Sequence, residues 1–171
     1  MINNMGALLQ SLGRHDEAEA YYLEALSGNR RILGDEHPVT LRFTINLGSL
    51  LNKLGRHDEA AELLQASEAA AREVWGGNDP RTLGSYLAKL GEARVGQGDL
   101  PAAEKTLLEA HALLSAGYGA DHERTLKSIQ SLIDLYDRWY ATEPDEGCDA
   151  IAFEWRSKLP QAANEARAAA P

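Results

Sequence analysis

Apolar side chains recur at spacings of three and four along most of the chain. Leu47, Leu50, Leu51 and Leu54 fall on one face of a helix, and Ala60, Leu63 and Leu64 on one face of the next. Gly55 lies between the two sets and ends the first helix by admitting a left-handed turn. Asp58 and Glu59 follow at once, where the positive end of the next helix dipole favours carboxylates. That second helix is predicted to run to about Trp75, where Gly76 and Gly77 end it. Pro38 and Pro80 suit the first turn of a helix, because no backbone donor is lost there, and Asp79 can cap the second of these. The pattern predicts paired helices joined by short corners.

The pairs repeat. LGRHDEA occupies residues 12–18 and returns at 54–60, a period of 42 residues. GDEHPVTL at 34–41 returns as GGNDPRTL at 76–83, again at 42, and then as GADHERTL at 119–126, now at 43. QGDLPAAEKTLL at 97–108 is a looser echo of the corner and places Gly98 43 residues after Gly55. Leu47-Gly48 maps to Leu90-Gly91, so one residue is inserted between Leu83 and Leu90. Gly6, Gly48 and Gly91 share one position, and Ala18, Ala60 and Ala103 share another. Nothing larger than Ala at these contacts would let two helices cross closely. One domain over residues 1–160 follows, with units at about 1–34, 35–76, 77–119 and 120–160, and then an Ala-rich tail, 161–171, expected to be a frayed helix or disordered.

The Leu-Gly and Leu-Leu pairs of NLGSLLNKLG, the Gly-Arg-x-x-Glu-Ala corner and the GDEHPVTL junction resemble the tetratricopeptide repeat family. The resemblance is to its 42-residue, kinesin-light-chain-like variety, and covers nearly all of residues 2–140. It implies an all-α fold, a right-handed superhelix of antiparallel helix pairs, with the first helices lining a concave groove that holds an extended peptide. It also implies the C-terminal part of a bacterial-type array, of the kind that serves as the regulatory part of a larger signalling protein. The implied groove positions are Asn4 in the first unit, then Arg42, Asn46, Ser49 and Lys53, then Ser85, Lys89 and Glu92, then Lys127, Ser131, Asp134 and Arg138. Asn4 and Asn46 match the family's peptide-clamping asparagine, whose amide offers both a donor and an acceptor, while Lys89 and Ser131 replace it in the later units. Five of these residues are basic and two acidic, so the groove would carry about +3 on a chain of −9 and would steer an acidic peptide toward it.

Composition narrows the picture further. Ala, Leu and Glu are abundant and Val, Ile and Phe scarce, which favours helix over sheet. The charge of −9 argues against a nucleic-acid module, which needs a basic footprint. No apolar run approaches the roughly 20 residues that span a bilayer, and MINNMGALLQ lacks the regions of a signal peptide, so a cytoplasmic protein with no membrane partner is expected. Cys148 is alone, which points to a reducing compartment and a packing role. The glycines of GQGD follow a helix rather than a strand and form no phosphate loop, and no nucleophile–base motif occurs, so neither a cofactor nor an enzymatic activity is expected. His15-Asp16 and His57-Asp58 look like the His-Asp pair of metal-dependent phosphohydrolases, but they sit at the corner, where packing is the better account. His37, Asp79 and His122 take equivalent junction positions as helix caps, and Tyr21, Tyr22 and Trp75 read as packing between repeats.

The ends depart from the pattern. Arg94 falls where Leu51 sits and Gln97 where Leu54 sits, which predicts a looser or shifted end to that helix. Tyr140 replaces the corner glycine of the fourth unit, and a longer connection leads to a last helix whose Ile151, Phe153 and Trp155 are expected to cover the final repeat before Pro160 stops it. The register puts Met1 about two residues into its helix, which leaves an open apolar face for upstream repeats or for another copy. The partners expected are therefore a protein or peptide, acidic in character, with self-association through the open first repeat as the alternative.

Overall fold

The computed structural model describes residues 3–144 and 147–159, with the side chains of Asn3 and Asn4 outside that description. Pro160 and the Ala-rich tail also lie outside the described residues. Nine α-helices follow one another among the described residues: α1 (Asn3–Ser11), α2 (His15–Leu33), α3 (Pro38–Lys53), α4 (His57–Ala66), α5 (Glu68–Trp75), α6 (Pro80–Gln97), α7 (Leu100–Tyr118), α8 (Glu123–Thr142) and α9 (Cys148–Ser157). No strand occurs among them, and the fold is an all-α solenoid of antiparallel pairs.

Each of the first three pairs crosses through a glycine. A Cβ added to Gly6 would lie 2.3 Å from the ring of Tyr22, one on Gly48 2.8 Å from Leu64, and one on Gly91 2.5 Å from Leu107. These partners stand 16 residues after their glycines in every case. Ala18, Ala60 and Ala103 lie one turn before them and are fully buried. In the last pair, buried Cys148 and Ala152 of α9 take the small-residue role against Leu132, Leu135 and Tyr136.

The corners turn as the sequence predicts. Gly13, Gly55 and Gly98 have φ of 73°, 73° and 86°, a region in which only glycine is unstrained. After the junctions between units, α3, α6 and α8 each start on a side-chain cap. Nδ1 of His37 accepts from Val39 N at 3.2 Å, Nδ1 of His122 from Arg124 N at 3.1 Å, and Asp79 from Thr82 N at 3.2 Å. The fourth unit has no corner glycine, and α8 runs on past Tyr140 to Thr142.

Units stack by burying the second helix of one against the first helix of the next. Tyr22 and Leu26 of α2 meet Phe43, Leu47 and Leu50 of α3. Trp75 of α5 sits 6.2 Å, ring centre to ring centre, from Tyr86 of α6.

Three expectations need correction. The second helix of the second unit is not continuous to Trp75, because it breaks at Ser67 between α4 and α5. Tyr86, fully buried, donates its hydroxyl to the Leu64 carbonyl and lies 2.9 Å from Ser67 Oγ, which itself bonds back to Leu63 and Leu64 carbonyls. Side-chain hydroxyls thus compete for the carbonyls of the helix turn and divert it. The end of α6 is not loosened by Arg94, whose guanidinium bonds Thr106 Oγ1 and reaches Glu68 at 3.3 Å. Phe153 does not cover the last repeat. It is 70% exposed, and the cover comes from Cys148 and Ala152, with Ile151 and Trp155 beside them.

Two outcomes follow. Gly91→Ala puts a methyl into Leu107 and should lower stability by about 2 kcal/mol, the overpacking cost outweighing the propensity gain of about 1. Gly28→Ala, where an added Cβ meets nothing within 4 Å, should instead raise it by up to about 1 kcal/mol. Urea unfolding of the two variants measures both. Burial pushes the Tyr86 phenol up to about 12 from an ordinary 10. A raised folded-state value means full stability below the unfolded value and loss above it. Thermal melts of the wild type should therefore weaken between pH 10 and 12, and Tyr86→Phe should weaken less over that window.

Candidate functional site

The first helices of the pairs face one another across a recess. Two adjoining hollows lie in it, of about 520 and 380 Å3, lined chiefly by α3, α6 and α8, with Gln10 of α1 at one end. The spacing of Asn46, Ser49 and Lys53 puts these side chains on one stripe of α3, and Lys127, Ser131 and Asp134 form the matching stripe of α8.

The recess collects most, but not all, of the positions implied by the family resemblance. Asn46, Ser49, Lys53, Ser85, Lys89, Glu92, Lys127, Ser131 and Asp134 line the hollows. Arg42 is exposed one turn before Asn46 and lines neither. Arg138 also lies outside them and donates to the Gly96 carbonyl at 3.3 Å, tying α8 to α6. The side chain of Asn4 is outside the described residues.

Polar contacts hold the lining in place. Lys89 Nζ lies 2.7 and 2.8 Å from the two oxygens of Glu92, and Ser131 Oγ donates to Glu92 at 3.4 Å across the gap between α8 and α6. Gln130 donates to Asp134 at 2.8 Å, and Lys127 pairs with Glu123 at 2.6 Å. Asn52 donates to the Lys89 carbonyl at 2.8 Å, while its Oδ1 is 3.4 Å from Nδ1 of His57.

Carboxylates take up some of the cations and leave others. Away from the recess, Arg56 and Arg72 are taken up, while Arg31, Lys105 and Lys158 have no ion pair with any described residue. Arg56 binds Glu19 at 2.7 Å and Glu59 at 2.6 Å, and Arg72 binds Glu109 at 2.6 Å and Glu68 at 2.9 Å. Hydrogen bonds donated to Glu59 and then Glu19 raise the Arg56 guanidinium further, and that donated by Arg72 holds the Glu109 carboxyl below its usual range. Around the recess, Arg42, Lys53, Arg124 and Arg138 form no ion pair with any described residue.

Several lining residues stand outside the positions that the sequence implies. Arg124 lines the second hollow and donates to Ser85 Oγ at 3.0 Å. It lies one turn before Lys127, outside any count taken from the Leu-Gly pair. Gln10, Asn52 and His57 are further additions. The signal for His57 is Gly96, a glycine inside a helix, where an added Cβ would collide with the imidazole ring at 1.9 Å. The corner histidines pack as expected, with Nδ1 of His15 buried and without a hydrogen-bond partner among the described residues. Among the described residues, no group of three or more His, Cys, Asp or Glu is arranged to hold a metal ion, and no helix is long and apolar enough to cross a membrane.

Residues 1–73 match the family described as tetratricopeptide repeat. Comparison with curated proteins gives no match. Among solved structures, the chain is similar to the nearly identical TPR-like repeats of a Podosopora anserina protein described as a kinesin light chain, with a TM-score of 0.65, 15% identity and 92% of each chain covered. A singly substituted form of that protein is similar at a TM-score of 0.65 and 16% identity, over 96% of this chain and 94% of that one. Residues 1–73 therefore match the tetratricopeptide repeat family, and the glycine crossings shared by three successive pairs and the likeness in fold over nearly the whole length carry the same architecture through the rest of the chain.

Proposed function

We propose that the chain is a non-catalytic scaffold that binds an extended, acidic segment of a partner protein in the recess along α3, α6 and α8. A tetratricopeptide repeat fold is in general a platform for protein–protein interaction. The unpaired cations beside the recess support the finer reading. Arg42, Lys53, Arg124 and Arg138 have no ion pair among the described residues, although Arg31, Lys105 and Lys158 elsewhere on the solenoid are unpaired too. On a protein of net charge −9, cations left free on one face attract an anionic partner and repel a basic one. Asn46, Ser49, Ser85 and Ser131 add donors and acceptors for the backbone of an extended peptide. Lys89 and Lys127 enter with their charge already shared with Glu92 and Glu123, so they contribute less.

The exposed flank of α1 supports a second mode, self-association. Met5 and Leu8 are each 51% exposed, while their equivalents 42 residues on, Leu47 and Leu50, are 3% and 0% exposed beneath α2. Phe153 on α9, the last second helix described, is 70% exposed, so α9 of another copy could stack on α1.

Fluorescence anisotropy with a labelled Glu-rich peptide tests the first mode. Binding should be saturable, of roughly micromolar strength, and weaker as salt rises. Arg42→Glu with Lys53→Glu should weaken it by about tenfold or more. Equal binding of a Lys-rich peptide, or unchanged binding by the double variant, would overturn the reading. Sedimentation over about a hundredfold range of concentration tests the second. A mass that rises with concentration and stays monomeric in Leu8→Glu supports stacking, and a constant monomer in both rejects it.

A further inference from the structure

The rim of the recess holds a second cluster, which shares Arg124 with the peptide reading and otherwise stands apart from it. Tyr118, in the last turn of α7, gathers three basic side chains. Its ring stacks on His122 at 4.2 Å between centres, with the two planes only 15° apart. The guanidinium carbons of Arg81 and Arg124 lie 5.5 and 5.7 Å from the centre of the same ring. The two arginines come from equivalent places, one residue into α6 and α8, so the repeat itself supplies the pair.

The cluster is built rather than incidental. Gly117 sits in the last turn of α7, next to Tyr118, at a φ that does not itself require glycine. An added Cβ on it would lie 2.3 Å from Cγ of Arg81. The stem of Arg81 therefore passes directly over Gly117, and the missing side chain lets the guanidinium reach Tyr118. Arg124 is fixed from another direction, by its 3.0 Å bond to Ser85 Oγ.

Nearby carboxylates are mostly engaged elsewhere. Asp79 accepts from Thr82 N at 3.2 Å and from Thr82 Oγ1 at 2.5 Å, and comes no nearer to Arg81 than 3.9 Å. Glu123 takes Lys127 at 2.6 Å. Arg124 pairs with no carboxylate among the described residues. Elsewhere in this protein a well-placed guanidinium takes up carboxylates at close range, as Arg56 and Arg72 do.

We propose that Arg81, Arg124 and His122, assembled on the Tyr118 ring, form a binding site for a phosphate dianion. Two planar forks with several donors each match the oxygens of a phosphate, which carries the two charges that a single carboxylate lacks. The aromatic ring holds the forks at the surface without neutralising them. A phosphorylated side chain on a bound protein and a free phosphate compound both supply this group, and the chemistry is common to the two. The site does not require the neighbouring recess to hold an acidic peptide.

The test follows the arginine Nε–Hε signals by NMR at constant ionic strength. Inorganic phosphate is the first probe, chloride the control and a short phosphoserine peptide the second probe. Saturable shifts of the Arg81 and Arg124 signals with phosphate, absent with chloride, are expected. Arg124→Gln and Gly117→Ala should each weaken binding by about tenfold, while the distant Lys105→Gln should leave it unchanged. A phosphoserine peptide that binds more tightly than inorganic phosphate places the source on a protein, and equal or weaker binding points to a free phosphate compound. Shifts that never saturate, or that are the same in Arg124→Gln, would overturn the proposal. Phosphate binding that survives while the Glu-rich peptide fails to bind would reject the groove reading and leave this site standing.

Discussion

The solenoid depends on three absent methyl groups. Gly6, Gly48 and Gly91 let Tyr22, Leu64 and Leu107 press against a bare backbone, and no other natural residue leaves that space. The close crossing sets how far apart the helices of each pair lie. It aligns the first helices as neighbours, and only then do residues 39 apart in sequence, such as Ser131 and Glu92 or Arg124 and Ser85, come within hydrogen-bond reach. The recess and its rim are consequences of that spacing. The alanines one turn earlier reinforce it, and the left-handed corner glycines deliver the chain to it.

Ion pairs then tie neighbouring units. Arg56 and Arg72 each hold two carboxylates, one of them from a neighbouring unit, so they serve as partly exposed ties between second helices. Pairs this exposed add little stability singly. Each also neutralises one cation among the second helices. Among the described residues, the cations without such partners include Arg42, Lys53, Arg124 and Arg138 around the recess, and Arg31, Lys105 and Lys158 elsewhere, on a protein that is acidic as a whole.

The features legible in the sequence are those with local causes. A positive-φ glycine, a capping Asp or His, and an apolar stripe each act within a few residues. The period of 42 residues makes the crossing glycines legible too, because they recur with their Leu or Tyr partner at a fixed offset. The features that differ from expectation have non-local causes. The break at Ser67 comes from the hydroxyl of Tyr86, 19 residues away on the next unit, where the earlier unit has Phe43 and no hydroxyl to offer. Arg94 reads as a weak point because a cation replaces Leu51, and only the fold shows Thr106 and Glu68 waiting for it. Gly96 and Gly117, each the last residue but one of its helix, are signals that only the fold explains, for in both a side chain of another helix or corner passes over the bare backbone. Most of the groove stripe can be counted from the Leu-Gly pair, but Arg124 cannot.

The crossing is the claim on which the rest stands, and a nuclear Overhauser spectrum of the wild-type protein tests it most directly. Cross-peaks are predicted between the Gly48 Hα protons and the Leu64 methyls, between Gly91 and the Leu107 methyls, and between Gly6 and the Tyr22 ring. All three should be strong, since the groups are in van der Waals contact. Their absence, with the helices intact, would mean that the pairs do not cross at the glycines, and the recess described here would not form.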